Sequence, residues 1–172
     1  MNYKNIITPL ILIIAVGFCI FWSNHNSKKI AYLNTTMLYD GFKLKKELEE
    51  KYSKVQLARQ NLLDSIKFKI QYISLKGPAI SEQEKIQVND LQRSYLYKEK
   101  EFADENAATA QQYSDQIWKQ INQYVDDYGK KHHYDLILGA TGQGNIMYAR
   151  QGDDITKEVS DYINRRYSGA KD

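Results

Sequence analysis

The sequence predicts an α+β chain: a small β-rich oligomerisation body with a long antiparallel α-helical hairpin, a coiled-coil arm, inserted between its strands. An N-terminal transmembrane or signal helix precedes it. Three observations lead there. Residues 36–131 run almost entirely in strong helix formers, broken by a single proline, Pro78. Strand-like alternation flanks that stretch at "KIAYLN" (29–34) and at "YDLILGATGQGNIMYAR" (134–150). Residues 6–22, "IITPLILIIAVGFCIFW", carry no charge. The boundaries expected are 1–22 for the signal anchor or signal peptide, 23–28 for a polar linker, and 29–172 for the folded part. Within that part the body takes 29–40 and 132–168 and the arm takes 41–131.

The uncharged run decides the compartment. With Lys4 and the free amine ahead of it, it has the layout of an export segment, so the rest of the chain is expected outside the cytoplasm. As an uncleaved anchor it lies near the short end of what spans hydrocarbon, with Trp22 at interface depth. As a cleaved signal it offers Ala15 and Gly17 as small residues before the cut. A lipoprotein signal needs a small residue before Cys19, where Phe18 stands. Cys19 is also the single cysteine, which excludes an internal disulfide framework and a cysteine-based metal site. The formal charge of +3 on 172 residues demands no polyanionic partner.

Each element follows from local chemistry. Ile30 and Tyr32 alternate with small or polar neighbours as one short strand, and Asn34, Thr35 and Thr36 offer N-cap oxygens. A helix is expected from Thr36 to Lys76, with Leu48, Val55 and Leu62 recurring at sevens and Tyr52, Ile66 and Ile73 beside them. Lys69 interrupts that stripe. Gly77 and Pro78 end the helix, and Ser81 with Glu84 forms a capping box for a second one over Glu82–Lys131. Val88, Tyr95 and Phe102 recur at sevens there, with Leu91 on the same side; Ile117, Ile121, Tyr124 and Tyr128 make a stronger stripe near its end. Residues 103–116 are small and polar and read as a thin, loosely held stretch, with Thr109 and Gln116 on the seam. Helices of this length would project on the order of 60–75 Å. Beyond "GKKHH" the period becomes that of strands, and residues 134–150 are expected as a β-hairpin turning through "ATGQGN". "DDIT" starts a closing helix whose buried face is Ile155, Val159, Tyr162 and Ile163. So thin a body predicts self-association through exposed strand edges.

"KIAYLNTTMLYDGF" at the start and "YDLILGATGQGNIMYARQGDDITKEVSDYIN" at the end, in this order around a charged helical hairpin, resemble the Skp/OmpH family of periplasmic chaperones. The resemblance covers about residues 28–166. It implies a homotrimer whose three arms enclose a cavity for unfolded outer-membrane proteins. It also implies that Ile30, Tyr32, Leu136, Leu138, Ile146 and Tyr148 build the body and its trimer contacts. Familiar members have a cleaved signal and strongly basic arms. Here the first arm helix carries nine basic and four acidic residues and the second seven and ten, net +2, with residues 65–100 at +3.

The function expected is an ATP-independent holdase for unfolded outer-membrane or envelope proteins in the periplasm, with residues 6–22 as a candidate inner-membrane anchor. Client-binding candidates on the arm are Lys67, Lys69, Tyr72, Lys76, Lys85, Arg93, Tyr97, Lys98 and Lys100. The lysines and arginine would draw an acidic client, and tyrosine combines an apolar face with a water-tolerant hydroxyl. A solvated helix face accounts for the same charges equally well, and Tyr95 fits the seam better than a client. The alternative is a membrane-tethered coiled-coil spacer or adaptor docking a folded envelope partner, which calls for unbroken heptads. No cofactor, catalytic residue or metal site is expected, and no nucleic-acid partner. "GATGQG" lacks the Lys-Ser/Thr of a P-loop, His132 and His133 are adjacent, and His25 lies in the linker.

Overall fold

The computed structural model describes residues 28–170. The segment 1–22, including Cys19 and Trp22, and nearly all of the linker lie outside the described residues. Among the described residues no helix is long and apolar enough to cross a membrane.

Strand β1 (Ile30–Asn34) leads into helix α1 (Thr35–Gly41), whose start is capped by the Asn34 side chain accepting from the Met37 amide. The chain then breaks at Phe42, extended at φ −78°, ψ 130°, before α2 (Lys43–Ser74). The continuous helix expected from Thr36 is therefore two helices. The break turns the Phe42 ring inward, where it is fully buried, edge-on to Tyr124 at 6.3 Å and Tyr167 at 5.4 Å. No side chain of α2 caps its own start; Asn164 reaches over instead, its Oδ1 accepting from the Lys43 amide and its Nδ2 donating to the Gly41 carbonyl.

A single 3-10 turn at Gly77–Ala79, with Gly77 at φ +54°, reverses the chain. Helix α3 (Glu82–Lys131) returns with the bounds the sequence predicts, and both halves of the Ser81–Glu84 capping box are formed. Helix α4 (Thr156–Tyr167) buries Val159, Tyr162 and Ile163 against the body, with Ile155 buried just ahead of it. The N-cap position falls on Ile155, which has no side-chain cap bond, so the cap expected of "DDIT" is replaced by Asp154 one position earlier, which accepts from the Thr156 amide and hydroxyl.

The sheet departs from expectation. Strand β2 (Leu136–Ala140) runs parallel to β1, pairing Ile30 with Leu136 and Tyr32 with Leu138. Residues 146–150 form no strand, so the predicted 134–150 hairpin is corrected to a two-stranded parallel sheet joining chain ends about a hundred residues apart. The turn is real but is closed by a side chain: Asn145 donates to the Gly139 carbonyl and accepts from the Thr141 amide. The far edge of β1 is held at Tyr32, whose carbonyl accepts from the Ile155 amide. Ala31 and Leu33 face the core with Leu38, Phe42, Ile121, Val159 and Ile163, and Ile137 packs against it.

Candidate functional site

Two surfaces collect the residues singled out by the sequence. The first is the outer face of the sheet. Because strand side chains alternate, burying Ala31, Leu33 and Ile137 forces Ile30, Tyr32, Leu136 and Leu138 outward. Ile30 and Leu136 are nearly half exposed, and Leu138 is little less so. Ile146 and Tyr148 line one shallow depression together with Ile30, Tyr32 and Leu138. Five of the six body residues thus meet in one apolar patch, and Leu136 adjoins it by its pairing with Ile30. None of the six contributes to this chain's own core. Burial, then the neighbouring Asp154 carboxylate, push the Tyr32 hydroxyl above its ordinary range and keep it neutral.

The second surface is the arm. Its seam in α2 runs through Leu48, Tyr52, Arg59, Leu63, Ile66 and Ile73, so the sevens begin at Tyr52 rather than at Leu48. Val55 and Leu62 consequently sit at the solvent edge, 46% and 41% exposed, and Lys69 lies outside the seam rather than interrupting it. On α3, Val88, Leu91, Tyr95 and Phe102 are half-buried along the seam and Thr109 shares it. Gln116 points outward beside the buried Ile117. Two of the three supposed seam interruptions therefore vanish.

The stretch expected to be loosely held is clasped by polar contacts. The Arg59 guanidinium bonds Asn106 and Glu105 and lies 5.2 Å from the centre of the Phe102 ring. Tyr52 donates to the Asn106 carbonyl and meets Tyr113 edge-on at 6.4 Å. Arginine at a heptad position was the available signal for this clasp; an apolar-only pattern passes over it.

The nine client-binding candidates divide by what they touch. Lys76 is ion-paired to Glu84 and Lys85 to Glu82, while the Lys98 ammonium sits 5.7 Å from the Phe102 ring centre. Lys67, Lys69, Arg93 and Lys100 are exposed and make no ion pair among the described residues. Tyr72 and Tyr97 are 64% and 69% exposed, whereas Tyr95 is half-buried and donates to Glu99 at 3.1 Å. The free surface also includes residues the sequence reading passed over: Phe68 at 69%, Leu75 at 85%, Leu57, Ile86 and Leu96.

Chemically, the arm offers separated apolar side chains among free ammonium and guanidinium groups, without a closed pocket. Among the described residues no cluster of His, Cys, Asp or Glu is arranged to hold a metal ion. His132 stacks on Tyr128 at 4.2 Å, and the His133 backbone, at φ +56°, serves the turn between α3 and β2.

A long helical hairpin rising from a small α+β body with an open sheet face defines a class of coiled-coil-armed proteins. Residues 29–163 match the family model for outer membrane protein (OmpH-like), and the chain belongs to that OmpH-like family. No curated protein matches the sequence. Among solved structures, the chain is similar to a candidate outer membrane chaperone (OmpH-like) from Caulobacter crescentus CB15. The TM-score is 0.63 at 13% identity, over 81% of this chain and 86% of that one. At that identity the likeness concerns the fold.

Proposed function

We propose that the chain is an ATP-independent holdase of the periplasm, binding unfolded outer-membrane or envelope proteins between helical arms. The observation that carries this reading is the arm's surface. A two-helix seam uses one narrow stripe of each helix, yet Leu57, Phe68, Tyr72, Leu75, Leu96 and Tyr97 all remain largely exposed outside it. Apolar side chains scattered singly are ordinary on a globule. Here they line a projecting arm among unpaired basic residues, which suits many weak, non-directional contacts with an unfolded acidic chain. Membership of the OmpH-like family supports the chaperone role in general.

The body supports the same reading through its unpartnered face. Ile30, Tyr32, Leu136, Leu138, Ile146 and Tyr148 would pack against neighbouring copies, giving a homotrimer in which three arms surround a common space. Lys67, Lys69, Arg93 and Lys100 are the groups left free to steer an acidic client. Lys76, Lys85 and Lys98 are engaged within the arm and serve it first as structural residues.

The spacer reading keeps one observation in its favour: with Lys69 and Gln116 off the seam, the heptads are more regular than the sequence suggests. The discriminating experiment mixes the chain with a urea-unfolded outer-membrane barrel protein, dilutes the urea and follows turbidity at low and high salt. A chain with both arm helices shortened symmetrically runs beside it. The holdase reading expects stoichiometric suppression without nucleotide, weakened by salt and lost with the arm. Folded chains that suppress nothing would leave the arm as a spacer.

A further inference from the structure

The outer end of α2 carries an arrangement that the seam does not explain. Phe68, Tyr72 and Leu75 recur at i, i+4 and i+7, the spacing that puts three side chains on one helix face. All three are exposed, at 69%, 64% and 85%. Beneath Phe68 and Tyr72 the buried Ile73 closes the seam, and Lys69, Lys76, Glu84 and Gln87 complete the rim of a shallow open hollow. The fold uses the floor of this hollow and the Lys76–Glu84 pair on its rim, while its two rings remain about two-thirds exposed.

The charges around it are unequal. Glu84 accepts from Lys76 and from the amide and hydroxyl of Ser81, so the one carboxylate on the rim is fully committed to closing the tip. Lys69 makes no ion pair among the described residues, nor does Lys67 one position before Phe68. Gln87 and the Tyr72 hydroxyl make no hydrogen bond among the described residues. The hollow therefore presents two aromatic faces, a free ammonium and two solvent-exposed polar groups open to a ligand, with no free negative charge. That combination complements a polypeptide segment in which an apolar side chain neighbours a carboxylate, its backbone groups meeting the amide and the hydroxyl.

The geometry points to this hollow, walled by Phe68, Lys69, Tyr72 and Gln87, as a docking site for acidic-apolar segments of unfolded polypeptide. The inference rests on the holdase reading and narrows it: capture begins at the outer third of the first arm helix. The basic residues of the second helix, Arg93 and Lys100, contribute long-range attraction only.

The test uses the full chain and two readouts. The first is fluorescence anisotropy of a labelled peptide alternating Phe or Val with Asp or Glu, beside a peptide of the same apolar content with Lys in place of the acids. The full chain should bind the acidic peptide about tenfold more tightly than the basic one, roughly the difference one charge-assisted contact makes. Phe68→Ser/Tyr72→Ser should weaken the acidic peptide by about tenfold or more, Lys69→Gln should erase the preference between peptides, and Lys157→Gln, on the body, should change neither by more than about twofold. These positions are exposed on a helix, so unchanged far-UV circular dichroism is expected throughout.

Unchanged affinity in Phe68→Ser/Tyr72→Ser would overturn the docking site. So would a fall in oligomeric mass for that variant, which would make the face a contact between copies. The second readout is suppression of aggregation of an unfolded barrel protein. If the unsubstituted chain suppresses nothing, the holdase reading fails whatever the peptides do. If it suppresses and Phe68→Ser/Tyr72→Ser does so equally, the holdase stands and the site falls.

Discussion

Glu84 shows how much one side chain holds at the tip of the arm. Its carboxylate receives the Lys76 ammonium and, from Ser81, both amide and hydroxyl, and these contacts lower its pKa from 4.5 to about 2, with the Lys76 bond the largest cause. A carboxyl lowered on folding adds stability that is fully present above the unfolded value and is lost as pH falls through the folded one. The start of α3 should therefore keep its helical Cα chemical shifts at pH 4.5 and lose them only as pH approaches about 2. Glu84→Gln should show no such titration in the shifts of residues 81–85. Shifts that move with an ordinary midpoint near 4.5 would contradict the contact. At the other end of the arm, the Tyr167 hydroxyl donates to Glu47, which raises it to about 12 and keeps it a neutral donor at working pH.

At the scale of elements, the junction between body and arm depends on a residue far away in sequence. Asn164 supplies the cap that Phe42 cannot, bonding both the Gly41 carbonyl and the Lys43 amide across the helix break. Asn164→Ala should lower stability by about 2 kcal/mol, since it removes a helix cap and two backbone partners together. The urea midpoint measures this, and an unchanged midpoint would mean the break is held by Phe42 packing alone. Helix α3 was legible from local signals because caps, breakers and sevens act over a few residues, whereas the break at Phe42 and the seam register of α2 were not. Ser81, Glu84, Gly77 and the Val88–Tyr95–Phe102 stripe mark α3 unaided. The sheet was less legible. The glycine-rich "ATGQGN" favours a hairpin by every short-range rule, whereas β2 pairs with β1 across the whole arm. What decided it is a long-range fit: Gly139, where a Cβ would come within 2.7 Å of the Thr35 methyl, lets β2 lie against the β1–α1 corner. The candidate site divided in the same way. Glu82 and Lys85 at i,i+3 and Lys98 and Phe102 at i,i+4 are spacings a helix makes neighbours, so those two engagements were readable, whereas the Lys76–Glu84 pair spans the tip and depends on how the turn folds.

For the whole molecule, the sheet's outer face lies outside the chain's own core, so the proposed contact between copies can be tested apart from the stability of the single chain. Leu136 is 46% exposed and lies outside the core, so Leu136→Asp should leave the melting temperature of the isolated chain within a few degrees. The same carboxylate, placed in a contact between copies, would be desolvated at a cost of several kcal/mol. Light scattering should therefore show Leu136→Asp with a lower mass than the unsubstituted protein while circular dichroism is preserved. A variant that unfolds, or that keeps its mass, would contradict this division of labour. The most direct test of the central claim, that an unfolded client lies against the arm, is photo-crosslinking from the arm itself. A photoreactive amino acid is placed at Tyr97 in one chain and at the exposed Lys157 of the body in another, and each is mixed with a barrel protein diluted from urea. Crosslinks from position 97 to the unfolded protein, absent with the same protein once folded and absent from position 157, are the result predicted. Crosslinks from position 157 alone, or crosslinks that do not distinguish folded from unfolded protein, would contradict it.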